Sequence, residues 1–249
     1  TFQPDLTPEK SQSFNPTLKE QTILIIEDNP DIQFFLQKKL GHFYETMEAL
    51  AGETGLALAF EKVPDLIICD VKLPGENGLQ LTKQLKEDLR TSHIPILMLT
   101  SQSTIEQQIE GTKAGADAYL TKPFNVQFLK EKIKNLLHNR QLLKESFGKE
   151  LLHFSDKPSI KSLDEQFLNQ FFAYIESNYN RQDFQVTDLC EEFHLSRSQL
   201  YRKIKALLGQ SITDYIQNVR LSKAEELLKL GELSISEIAY SAGYTSPEY

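Results

Sequence analysis

LIICDVKLPGENGL, residues Leu66 to Leu79, is the stretch that decides the fold. An apolar, β-branched run stopped abruptly by a turn-rich segment predicts a buried strand, with Asp70 at its C-terminal lip. Three other stretches repeat the design. Ile23 to Ile26 runs into Glu27 and Asp28, Ile96 to Leu99 into Thr100, and Ala118 to Thr121 into Lys122 and Pro123. Amphipathic segments of helical period lie between them. Alternating strands and helices joined by right-handed crossovers give a parallel sheet covered on both faces. All its strand C-termini open on one edge, where open α/β folds place their sites.

Outward from that stretch, strands are expected at 22–26, about 44–49, and in runs ending at Asp70, Thr100 and Thr121. Helices are expected near 31–40, 54–61, 79–89 and 103–114, with a fifth from about 126: five strands and five helices. The first 20 residues hold Pro4, Pro8 and Pro16 among Ser, Gln and Asn and read as a linker. The chain opens on Thr1 without an initiator Met, so this linker is expected to join something upstream.

The chain has 249 residues, room for roughly two domains of about 100 to 200 residues each. Hydrophobic residues make up 40%, charged residues 25%, and the net charge is -8, an ordinary globular balance. No apolar run approaches the roughly 20 residues that span a bilayer, and there is no signal-peptide pattern. A soluble, cytoplasmic chain is expected, or the cytoplasmic part of a membrane-bound sensor. Cys69 and Cys190 lie far apart among apolar neighbours, which suits two buried free thiols rather than a disulfide.

An acidic pair after the first strand, Asp70 followed by LPGENG, Thr100 after the fourth strand and Lys122-Pro123-Phe124 after the fifth together resemble the receiver domain of two-component response regulators. The resemblance runs from Thr22 to about residue 139. It implies a doubly wound, flavodoxin-like sheet of strand order 2-1-3-4-5. That order sets strands 1 and 3 side by side, so Glu27, Asp28 and Asp70 gather at one edge. Crowded carboxylates call for a cation. Hard oxygen ligands favour Mg²⁺, whereas five scattered histidines and two lone thiols supply no zinc-like set.

The resemblance further implies that the backbone carbonyl of Lys72 completes the metal ligands and that Asp70 accepts a phosphoryl group as an acyl phosphate. Lys122 would stabilise charge on the transferring oxygens. Thr100 would donate its hydroxyl, letting Tyr119 turn inward as the readout of the switch. By the same resemblance the bond before Pro123 is cis. Singly, Asp70 reads as a cap, Thr100 as a strand-end residue and Lys122 as a surface charge, but their joint placement on one edge favours the site. His42 and His93 read as surface or packing residues. No kinase-type histidine motif and no glycine-rich ATP box is present, so the phosphodonor, a histidine kinase, is expected elsewhere, in trans or upstream.

The last receiver helix continues past its expected end. Apolar residues at Leu129, Ile133, Leu136, Leu143 and Phe147 resemble a heptad with Arg140 misplaced, which predicts either a dimerising stalk or a helix packed on the sheet and followed by a frayed linker. The domains are expected as linker 1–20, receiver 21–140, helical linker 141–162 and a second domain 163–249. In this last part only helical periods occur, at 163–178, 186–193, 197–208, about 213–230 and 235–242.

A repeat with an offset of 49 residues aligns VTDLCEEFHLSRSQL, Val186 to Leu200, with ISEIAYSAGYTSPEY, Ile235 to Tyr249. Each copy is a short helix with a small residue midway (Cys190, Ala239), a tight turn (His194, Gly243) and a capped second helix, the pattern of a helix-turn-helix. Two such units on a long helix resemble the AraC-type DNA-binding domain. His194 departs from the usual glycine, which histidine tolerates better than most residues. Leu200 aligns with Tyr249, so the second reading helix is expected to be cut within its first turn.

In the first unit Leu200 and Ile204 are expected to face the core. Arg197, Ser198, Tyr201, Arg202 and Lys205 then fall on an open face, and with Lys203 these six are the candidate contacts to double-stranded DNA. Residues 161–249 carry nine Lys and Arg against thirteen Asp and Glu, so binding must be local rather than driven by bulk charge. The sequence thus predicts an α/β receiver with a second, all-α domain, in which phosphorylation of Asp70 controls DNA binding and promotes a homodimer. One rival is a phosphorelay or phosphoryl-sink receiver whose helical domain binds protein. The other, a hydrolase with an Asp nucleophile, expects a second acid where Lys72 stands.

Overall fold

The computed structural model describes residues 21–101, 110, 112–150 and 162–246, with backbone alone at 76 and 145–150. A five-stranded parallel sheet of order β2-β1-β3-β6-β7 forms the first domain. Its strands are β1 (Thr22–Ile26), β2 (Glu45–Ala49), β3 (Leu66–Asp70), β6 (Ile96–Thr100) and β7 (Ala118–Thr121). In chain order this is the expected 2-1-3-4-5 arrangement. Two short strands, β4 (Lys72–Leu73) and β5 (Glu76–Asn77), were not expected; they fold LPGENG into an antiparallel hairpin turning at Gly75, whose φ is 76°. The hairpin leads into α3 (Gly78–Glu87) against the carbonyl of Asp70. A Cβ at Gly78 would collide with that carbonyl, so glycine is required there.

Alternation along the strands splits the core into two layers. Ile23, Ile25, Leu66, Ile68, Leu97 and Leu99 pack under α1 (Pro30–Leu40) and α4 (Val126–Glu150). Leu24, Ile26, Ile67, Cys69, Ile96 and Met98 pack with α2 (Gly52–Lys62) and α3. Both faces are covered, so the central strands are apolar throughout. The expected helix at 103–114 lies largely outside the described residues, of which 110 and 112–114 are helical.

α4 is one 25-residue helix of about 37 Å at 1.5 Å per residue, roughly twice the length of a five-residue strand. Leu129, Ile133 and Leu137 are buried against the sheet, whereas Leu142 and Leu143 are 49% and 50% exposed. The first half of the heptad-like stretch is therefore committed to the receiver core. Phe147 lies outside the described side chains. Arg140 is not misplaced: it is largely buried, with Nη1 4.0 Å from Asp164 Oδ2 in the second domain.

The second domain comprises α5 (Leu163–Asn178), α6 (Val186–Phe193), α7 (Arg197–Leu208), α8 (Ile212–Leu230) and α9 (Ile235–Ser241) around Phe167, Phe171, Leu189, Leu200, Ile204 and Ile216. The 49-residue repeat is a repeat of structure. Capping boxes pair Gln185 with Asp188 and Ser234 with Glu237. Leu195 N–H donates to Cys190 O at 3.1 Å and Tyr244 N–H to Ala239 O at 3.0 Å. His194 and Gly243 close the two short helices at φ 52° and 86°. Cys190 is half-buried rather than buried, because it flanks the core instead of filling it.

The two domains touch. α7 packs on α4 and α2, and Leu89 of the receiver joins the apolar cluster of the helical domain. Among the described residues no helix is long and apolar enough to cross a membrane.

Candidate functional site

Parallel β1 and β3 end side by side, Ile26 opposite Cys69, so the residues that follow them share the C-terminal edge of the sheet. Carboxylate oxygens of Glu27, Asp28 and Asp70 all lie within 4.8 Å of one another. Lys122, one residue past β7, reaches across this edge: its Nζ donates to Asp70 Oδ2 at 2.8 Å and to Glu27 Oε2 at 2.7 Å. The Lys122–Pro123 bond is cis. Asp70 Oδ1 accepts the Lys72 N–H at 3.4 Å, a long contact.

Three carboxylates against one ammonium leave an excess of negative charge, and the local electrostatics register it. Glu27 is 1% exposed, and burial pushes its carboxyl above the ordinary glutamate value; the nearby Asp70 charge adds to this, while Lys122 opposes it. Burial also disfavours the Lys122 ammonium, yet its hydrogen bonds to Asp70 and Glu27 outweigh that and raise its pKa. Glu27 Oε1 is buried with no hydrogen-bond partner among the described residues. An orphaned carboxylate oxygen beside two more carboxylates is a donor set that fits a hard divalent cation.

Thr100 ends β6, beside β3 and on the same edge, and is buried. Tyr119, the second residue of β7, leans on the core layer of Met98 with its hydroxyl buried and without a hydrogen-bond partner among the described residues; burial and the Asp117 charge push its pKa up to about 12. The sequence-derived acceptor residues thus come together at one edge.

In the second domain Leu200 and Ile204 are buried, and Arg197, Ser198, Tyr201, Arg202 and Lys205 are exposed. Lys203 is the exception and corrects the expectation of a DNA contact: it is 0% exposed, its ammonium 2.7 Å from Asp164 Oδ1. The signal was present in the sequence. Lys203 stands three residues after Leu200 and four before Leu207, on the buried stripe of the helix. Sequence reasoning also missed Gln199, Ser92, Arg140 and Asp164, whose partners lie in the other domain.

Fold and acidic cluster define a receiver-type α/β domain, and the structural repeat defines a paired helix-turn-helix module. The model of the response regulator receiver domain matches residues 23–134, and a helix-turn-helix domain model matches residues 189–249. Histidine kinase P4 of Formosa agariphila is 39% identical over 245 residues, 98% of this chain and 17% of that protein. The DNA-binding dual master transcriptional regulator RpaA of Synechocystis sp. is 41% identical over 116 residues, 46% of this chain and 48% of the regulator. Protein PilH of Pseudomonas aeruginosa is 36% identical over 116 residues, covering 96% of its length. This chain therefore spans a minor part of the kinase and about half of the regulator. It belongs to the response regulators, with a receiver domain followed by a helix-turn-helix domain of AraC type.

Proposed function

We propose that this chain is a phosphorylation-controlled transcription regulator: Asp70 takes a phosphoryl group from a histidine kinase, and the helix-turn-helix domain binds duplex DNA accordingly. The observation that carries the reading is Lys122 bridging Glu27 and Asp70, with Asp28 in the same cluster. Glu27, Asp28, Asp70 and the Lys72 carbonyl would hold Mg²⁺, which when bound supplies positive charge opposite the phosphoryl oxygens. An Asp70 carboxylate oxygen forms a bond to phosphorus as the bond from phosphorus to the donor breaks, leaving an acyl phosphate. Lys122 and the Thr100 hydroxyl donate to the equatorial oxygens, where transition-state charge spreads. Tyr119 then reports occupancy of the site.

The match to part of a histidine kinase supports a place in a hybrid two-component protein, with the kinase before residue 1 and this part in the cytoplasm. We place the division between receiver and helical linker near residue 140, where α4 leaves the sheet. The exposed Leu142 and Leu143 support a homodimer formed on phosphorylation. A small phosphodonor with Mg²⁺ tests the acceptor: an alkali-labile label should appear on the parent chain and be missing from Asp70→Asn. Undiminished labelling of that variant would sink the assignment.

A further inference from the structure

A cavity of about 280 Å³ opens within the helical domain, between the first turn of α6, the first residue of α7 and the N-terminal half of α8. Buried Phe184 and Ile216 and half-buried Val186 form its apolar floor. Phe184 is fixed by its own turn, its N–H donating to Arg181 O at 3.2 Å, and its ring lies 6.2 Å from that of Tyr174. Thr213 and Gln217, one turn apart on α8 and both exposed, stand on the rim.

Two guanidinium groups line this cavity, and none of the residues around it is acidic. Arg220 is oriented by the end of α5: its Nε donates to Tyr179 O at 2.8 Å and its Nη2 to Arg181 O at 2.9 Å. Those bonds leave Nη1 for a ligand. Burial lowers the Arg220 pKa, with Tyr244 opposing, so an anion beside it would offset a cost that the fold already carries. Arg197, the first residue of α7, is exposed. The neighbouring acids are committed elsewhere. Asp183 pairs with Arg181 at 3.2 Å, Asp188 accepts the Gln185 N–H at 2.8 Å, and Asp214 accepts the Ser211 hydroxyl at 2.7 Å.

An inorganic anion would satisfy the guanidinium groups and leave the floor wet, whereas a neutral apolar molecule would cover the floor and leave them unpaired. A carboxylate on a flat apolar body meets both demands, because guanidinium donors match carboxylate geometry and ligand pockets combine apolar walls with a few polar anchors. We propose that this cavity is a binding site for a small organic anion, with Arg197 and Arg220 taking the carboxylate and Phe184, Val186 and Ile216 taking an aromatic body. The inference rests neither on phosphorylation of Asp70 nor on DNA binding. Arg220 also backs the second helix-turn-helix unit, since a Cβ at Gly243 would crowd its Nε and the Tyr244 ring lies 6.0 Å from its guanidinium carbon. An occupant therefore bears on the joint between the two units.

The test titrates 2-naphthoate into the whole ¹⁵N-labelled chain and follows amide and guanidinium signals by NMR. The amides of Val186, Thr187 and Gly243 and the Arg220 Nε–H should shift together, with a Kd of about 1 mM or tighter, the strength expected of a ligand of this size. Neutral 2-naphthamide and inorganic phosphate, each lacking one half of the recognition, should bind at least about tenfold more weakly. Thr213→Trp, which fills the cavity from the rim, and Gln217→Glu, which adds a negative charge there, should each weaken 2-naphthoate to a similar degree; unchanged signals elsewhere show that a variant folds. Absence of shifts at Val186, Thr187 and Arg220 with 2-naphthoate overturns the site, as does undiminished binding in both variants. Equal affinity for 2-naphthamide overturns recognition by the arginines, and equal affinity for phosphate leaves a simple anion site and overturns the organic ligand. Shifts that spare Gly243 alone overturn the link to the second unit.

Discussion

At the residue scale, Lys122 decides whether Glu27 and Asp70 tolerate each other. Lys122→Ala should slow acceptor labelling by on the order of a hundredfold, since one preorganised charge is lost from the transfer. It should also lower stability without Mg²⁺ by on the order of 3 kcal/mol, because an anion 1% exposed loses its cation; denaturant unfolding with and without Mg²⁺ measures both the loss and its recovery. His93 sets a pH dependence. It is buried, with Nδ1 lacking a hydrogen-bond partner among the described residues, and burial, then the Lys203 and Arg140 charges, hold its pKa well below the ordinary 6.5, with Asp164 opposing and Lys86 adding to the depression. Above about pH 6.5 neither state binds the proton, so the stability is at its full value. Below it the unfolded imidazole takes up a proton that the folded one refuses, and stability falls. Melting temperatures between pH 7.5 and 5.5 should decline more steeply for the parent than for His93→Gln; parallel slopes would remove His93 as the cause. The acceptor residues were legible because each follows an apolar run, whereas His93 was read as surface or packing because nothing local says what covers a loop.

At the element scale, the five core strands and most helices fall within a residue or two of their expected bounds, since period and caps are local properties. The hairpin of β4 and β5 was not legible: two-residue strands carry no period, and LPGENG reads simply as a turn. α4 shows the opposite failure. Its heptad-like spacing runs to Phe147, but the structure commits Leu129 and Ile133 to the sheet, turns Arg140 to the second domain and leaves Leu143 half exposed, which no single helix pattern encodes. The terminus of α2 carries a strained residue, for Val63 holds a left-handed conformation that a β-branched side chain rarely adopts. Val63→Gly should relieve roughly 1 to 2 kcal/mol of strain against a glycine entropy cost of roughly half that, for a net gain of up to about 1 kcal/mol in chemical denaturation. A loss of stability would mean that the Val63 side chain contributes more to the core layer it packs against than its backbone costs.

At the scale of the whole molecule, two modules each legible by themselves are joined by contacts that the sequence conceals. Lys203 sits on the buried stripe of its helix, and its partner Asp164 lies 39 residues away while Ser92 lies 111 away. The first pair closes the helical domain and the second joins it to the receiver, and neither follows from local period. α4 starts four residues past Lys122 at the acceptor edge and carries Arg140 to Asp164 of the helical domain. The most direct test is duplex retention by the 249-residue chain before and after a small phosphodonor with Mg²⁺, beside Asp70→Asn treated identically. The parent should gain both an alkali-labile label and tighter duplex binding while the variant gains neither; equal binding by labelled parent and unlabelled variant would contradict control through Asp70.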